Sequence, residues 1–147
     1  SRLLPLVQTR TERLIDLVPQ VDYLLGERDQ ISTEDFSNDI LTREDCMRVL
    51  HHSLKMMGEV PSWDSTVLSD RCRDLAAGMG LKLRDFLFPL FISIAGRRVA
   101  LPLFDSMAFL GVELTKMRVL SAIEELGGIS KKEAKRLDKS FKALELD

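Results

Sequence analysis

Apolar residues in this chain recur at spacings of three and four, and glycine or proline stands where the recurrence stops. No other feature constrains the fold as tightly: a period near 3.6 demands helices, and the alternation of a half-buried strand is absent over any length. Leu4, Val7, Leu14, Leu17, Val21 and Leu24 form a first periodic run, interrupted at Pro19 by a kink or break and ended at Gly26. Residues 27–42 are acidic and polar, with Phe36 and Ile40 as isolated apolar anchors, and read as a connector. Thr42 followed by Asp45 has capping-box spacing and predicts a helix from there to about Met57, with Met47, Leu50, Leu54 and Met57 on its apolar face. After the turn GEVPSWDS, Asp64 or Ser65 is placed to cap a helix carrying Val67, Leu68, Cys72, Leu75 and Ala76, closed by Gly78 and Gly80. A helix over 82–95 is apolar around most of its circumference despite Pro89, which predicts the most buried element, and Gly96 stops it. Shorter helices follow over about 103–110, stopped at Gly111, and about 113–126, stopped at Gly127-Gly128. Ser130 and Glu133 open a last, basic helix to about Leu144. The fold class is all-α, a helical bundle or cage. It divides into a partial helical subdomain with its acidic connector (1–41), a helical subdomain (42–128) and a basic helical extension (129–147).

The balance of 45% hydrophobic and 30% charged residues over 147 positions is that of a globular chain with a real core. A net charge of −2 excludes a generic nucleic-acid coat with a broad basic face, though not a local basic patch. Cys46 and Cys72 lie far apart without CxxC spacing, which argues against a disulfide framework or zinc site and fits a reduced, cytoplasmic setting. No apolar run approaches the roughly 18 uninterrupted residues of a membrane span, and no signal peptide opens the chain. It starts SRLLPLVQ, already inside a periodic pattern, and reads as a piece of a longer protein.

Catalytic constellations are missing. The only histidines, His51 and His52, are adjacent, and neighbouring side chains on a helix diverge by about 100°. They are expected as surface or partly buried imidazoles that do not chelate one metal. There is no glycine-rich phosphate loop, no GxSxG and no Cys–His pairing, so this chain is expected to be non-catalytic. The stretch FPLFISIAGRRVALPLFDSMAFLG (88–111) sets two arginines between apolar flanks. Such a turn either solvates itself or presents guanidinium groups to an anion at little ordering cost.

Gly80-Leu81-Lys82, Pro89-Leu90, Ala95-Gly96, Leu103-Phe104-Asp105 and Leu110-Gly111, in that order, resemble the C-terminal hallmark of bacterial-type glutamyl-tRNA synthetases. LPLVQTRTERL at 4–14 is similar to the helix that opens that family's anticodon-binding region, so the resemblance covers about residues 3–126. It implies an all-helical, anticodon-reading piece of a class I enzyme that joins glutamate to its tRNA. ATP and magnesium serve a catalytic domain whose HIGH and KMSKS-type signatures do not occur here. The implied partner is tRNA(Glu), with no membrane or DNA partner, and the implied state is a cytoplasmic monomer. Arg10 matches the position that discriminates the third anticodon base. Phe91 stands where an arginine often approaches the first base, a departure that leaves either an aromatic stack on that base or packing within its largely apolar helix. The loop after Gly96 implies contacts to the middle base. Ala100 stands there in place of a frequent threonine or serine, Leu103 is expected to pack on a base, and Arg97 and Arg98 are expected to touch phosphate.

The tail lies past the usual end of that family. Lys131, Lys132, Lys135 and Arg136, with Lys139 and Lys142, form either an electrostatic foot on tRNA backbone or a solvated face with Leu137, Phe141 and Leu144 packed beneath. The competing reading of the whole chain is a helical protein-interaction domain whose PLF and ALPLF stretches form a groove for a partner helix.

Overall fold

In the computed structural model, which describes residues 31–96 and 102–144, local side-chain chemistry fixes three of the six α-helix starts. A single 3₁₀ turn (Thr33–Phe36) precedes α1 (Arg43–Glu59), α2 (Ser65–Gly78), α3 (Leu83–Ala95), α4 (Leu103–Leu110), α5 (Val112–Glu125) and α6 (Lys131–Lys142), and the described residues contain no strand. The capping box expected at α1 is present: the Asp45 N–H donates to Thr42 Oγ1 at 3.1 Å and the Thr42 N–H to the Asp45 carboxylate at 3.0 Å. Asp64, not Ser65, caps α2, accepting from the Val67 N–H at 2.9 Å. Ser130 caps α6 by accepting from the Glu133 N–H at 3.2 Å. Each such bond satisfies one of the donors that a helix start leaves orphaned. Within the predicted connector, Phe36 is 3% exposed, and the Asn38 side chain accepts from the Ile40 and Leu41 N–H groups. That segment is therefore folded onto the core rather than merely spanning a gap. The periodic run over 4–24 lies outside the described residues.

Helix α1 packs against α2, α3, α5 and α6, while α5 packs against α1, α3 and α4. Leu50, Leu68, Leu75, Phe86, Leu90, Ile94, Met107 and Leu126 are sealed from solvent between them. Burying each such side chain is worth about 1.5–3 kcal/mol. The apolar α3 leaves only Arg84 exposed, as its composition predicts, and Pro89 is buried inside it. Helix α1 is nonetheless just as central, and its burial includes both histidines. His51 is 6% exposed and His52 is fully buried, which corrects the expectation of surface or partly buried rings. The physical reason is α6, which lies over that part of α1 and supplies a carboxylate to one ring and an aromatic edge to the other.

Cys46 and Cys72 are fully buried free thiols, pushed up to about 11 and about 12 chiefly by burial. No helix among the described residues is long and apolar enough to cross a membrane. Among those residues no group of three or more His, Cys, Asp or Glu is placed to hold a metal ion.

Candidate nucleic-acid interface

The turn between α3 and α4 is held at both ends. On the incoming side Gly96 adopts φ +82°, and its N–H returns to the Ile92 carbonyl at 2.8 Å. A left-handed residue ends the helix and sets the direction of the outgoing chain, a conformation that glycine reaches without a Cβ penalty. Two residues earlier, Arg118 reaches across from α5 and donates its Nη1–H to the Ile94 carbonyl at 2.8 Å. That arginine is 6% exposed, so the bond is made in the interior.

On the outgoing side the Pro102 carbonyl accepts from both the Ser106 N–H at 3.1 Å and the Ser106 hydroxyl at 2.9 Å. Trp63 clamps the next turn, its indole N–H donating to the Met107 carbonyl at 2.9 Å. Gly111, at φ +88°, is at once the last cap of α4 and the first of α5, so the two helices share one residue as an elbow. Beside the outgoing end lies an open groove lined by Ser65, Thr66, Ser69 and Asp70 of α2 and by Pro102, Phe104 and Asp105. Hydroxyls and carboxylates beside a half-buried ring are groups that meet the edge and the face of an unstacked base.

The expected site residues fall unevenly on this frame. Arg10, Arg97, Arg98 and Ala100 lie outside the described residues. Phe91 is half-buried on α3, beside Leu87 and Phe88 and packed against the core, neither sealed nor free. Leu103, expected against a base, is 4% exposed and belongs to the core cluster. It opens α4 and shares its inward stripe with Met107 one turn on, so it anchors the turn from below. Pro89 and Leu90 also point inward, and the apolar side chains of PLF serve packing more than an open groove. Sequence reasoning missed Arg118, Ser106 and Trp63. The only available signal was at Arg118, a cation in phase with the inward residues Thr115, Val119 and Ala122.

The basic helix presents the opposite character. Lys131, Lys132, Lys135 and Arg136 are all exposed, as are Lys139 and Lys142. Leu137 is buried, and Phe141 and Leu144 pack against the core. A polar cluster seats this helix on α1. His51 Nε2 lies 2.9 Å and Lys55 Nζ 3.1 Å from Asp138 Oδ1, while His51 Nδ1 lies 2.9 Å from His52 Nδ1. Adjacent rings do meet, because rotation about their side-chain torsions overcomes the divergence of their Cβ directions.

A neutral His51 that donates from Nε2 to the carboxylate must accept at Nδ1, so His52 donates from its own Nδ1. The remaining His52 nitrogen, Nε2, is buried with no hydrogen-bond partner. Adding a proton there would bury an unmatched N–H. Desolvation, followed by the neighbouring His51 and Arg48 charges, accordingly lowers His52 to about 4. Burial likewise lowers His51, against the pull of Asp138. The Asp138 carboxyl is held below its ordinary range by its bonds to Lys55 and His51.

The family model for the anticodon binding domain matches residues 1–123. The chain belongs to that family. Its relatives include the glutamate–tRNA ligase of Saccharophagus degradans, 37% identical over 142 residues, which cover 97% of this chain and 28% of that protein. The glutamate–tRNA ligases of Marinobacter nauticus (33% identical, covering 97% and 29%) and Acinetobacter baumannii (34%, covering 95% and 28%) are similar to the same extent. The chain thus spans less than a third of the length of these relatives. The all-α fold is the one expected of the family, and the family match contains the pinned turn, its elbow and Arg118 but stops short of α6.

Proposed function

We propose that this chain reads the anticodon of tRNA(Glu) as the RNA-binding part of a glutamate–tRNA ligase. Ligation, with its ATP and magnesium, is assigned to the portion of such a protein that lies outside this stretch. The observation that supports the reading is the pair of held ends that flank residues 97–101, by Gly96 and Arg118 on one side and by Ser106, Trp63 and buried Leu103 on the other. Ends held in this way present whatever lies between them with little ordering cost, which favours selective contact over loose attraction. In this reading Arg97 and Arg98 meet phosphate, backbone groups near Ala100 meet the middle base, Phe91 lies alongside the first, and Arg10 reads the third. A monomer in the cytoplasm fits, and the two buried free thiols support a reducing compartment.

The test is binding of a tRNA(Glu) transcript and of a transcript changed only at the third anticodon base. The unaltered chain prefers the first. Arg10→Gln reduces that preference about tenfold or more while weakening overall binding less, because one good side-chain contact to a base is worth about 1–3 kcal/mol of discrimination. Equal affinity of the unaltered chain for both transcripts overturns the proposal.

A further inference from the structure

We infer that the exposed face of α6 is a second RNA contact, one that grips sugar–phosphate backbone without reading sequence. It rests on the proposed tRNA-binding role and adds a surface beyond the residues that the family model matches, in a stretch where the aligned ligase relatives continue. At 100° per residue, all six cations between 131 and 142 fall within an arc of about 140°. Among the described residues none of the six pairs with a carboxylate. The two carboxylates of the helix are engaged elsewhere: Asp138 turns inward to His51 and Lys55, and Glu133 is half-buried in the capped first turn. Six positive and two negative side chains give α6 a net +4 in a chain of net −2, leaving −6 over the rest. The cationic surface is therefore concentrated on one face against an acidic remainder.

The opposite face decides the kind of partner. A helix that lies on a membrane needs its apolar side free to enter the lipid. Here Leu137 is buried, and Phe141 packs against the core with its ring 5.4 Å from that of His52. What remains outside is charge alone, on a rod seated by the His51–Asp138–Lys55 cluster. Helix α1 carries that seat and also packs on α3, so the cationic face and the pinned turn belong to one framework. Cations spread along one face of a helix suit the repeating phosphates of an RNA strand.

The experiment compares the chain with a variant carrying Lys131→Gln, Lys132→Gln, Lys135→Gln and Arg136→Gln, all at exposed positions. Affinity for the tRNA(Glu) transcript and for the anticodon-altered transcript is followed from 50 to 300 mM KCl. The logarithmic salt slope is expected to fall by about 0.7–0.9 for each phosphate contact removed. Both transcripts should weaken by the same factor, so their affinity ratio stays as it was. An unchanged slope with the ratio intact overturns the α6 contact and leaves anticodon reading standing. A reduced slope with no ratio in either protein sustains the α6 contact and overturns anticodon reading. Binding to phosphatidylserine vesicles that the variant loses, with the RNA slope unmoved, assigns the face to membranes and overturns the inference.

Discussion

The α3–α4 turn and helix α6 offer contacts on opposite principles. The ends of the two helices that flank the turn are held by a buried bond and two part-buried ones: a guanidinium on a carbonyl, a hydroxyl on a carbonyl, an indole on a carbonyl. Helix α6 keeps its bonds on the hidden side and shows only solvated cations. Geometry held by interior bonds confers selectivity, whereas solvated charge confers affinity that salt erodes. On the proposed readings, the difference teaches how one small domain separates choosing a partner from holding it.

The largest expected effect acts on the seat of α6. The folded-state pKa of His52, about 4, lies below its ordinary 6.5. The unfolded chain therefore binds more protons between those values, and stability falls as pH drops from 6.5 towards 4. The depressed Asp138 adds loss in the same direction at still lower pH, because a carboxylate favoured in the fold is protonated there. The decline from the buried ring is on the order of 3 kcal/mol. Urea unfolding at pH 7, 5.5 and 4 measures it, and His52→Leu should flatten the profile. A profile equally steep in that variant would place the acid sensitivity elsewhere.

Next in size, Arg118→Leu preserves bulk but leaves the Ile94 carbonyl without its donor, at a cost of about 2 kcal/mol. Lys135→Leu, on the solvated helix, should change stability by less than about 0.5 kcal/mol. Denaturant midpoints of the two variants give the contrast directly. Equal losses would erase the distinction between the regions. Between those two in size is Gly96→Ala, which forces a Cβ into φ +82° at about 1 kcal/mol. Its more telling readout is the anticodon ratio, expected to drop while the salt slope holds.

Helix boundaries were legible because their causes are local. Thr42 with Asp45, Asp64, Ser130, Gly96 and Gly111 act within four residues of themselves, and the predicted 103–110 helix is the observed α4. The supports of the turn were illegible for the converse reason. Arg118 meets a carbonyl 24 positions away, and no local pattern announces such a partner. The histidines show a different limit. Their spacing gave the divergence of their Cβ bonds but not the torsions that bring two nitrogens to 2.9 Å, nor the α6 carboxylate that orients them. Leu103, expected against a base, is buried in phase with Met107, a packing role that its helical spacing already carried.

The bond from Arg118 to Ile94 closes a ring in the chain that takes in the turn, all of α4 and the elbow at Gly111. Such a ring ties the two flanking helices together in the folded state at a single bond, where a disulfide would also restrain the unfolded chain. The tie is reversible and needs no oxidant, leaving both cysteines as thiols. The domain thus has a cross-link suited to a reducing environment, placed around the segment proposed to meet RNA.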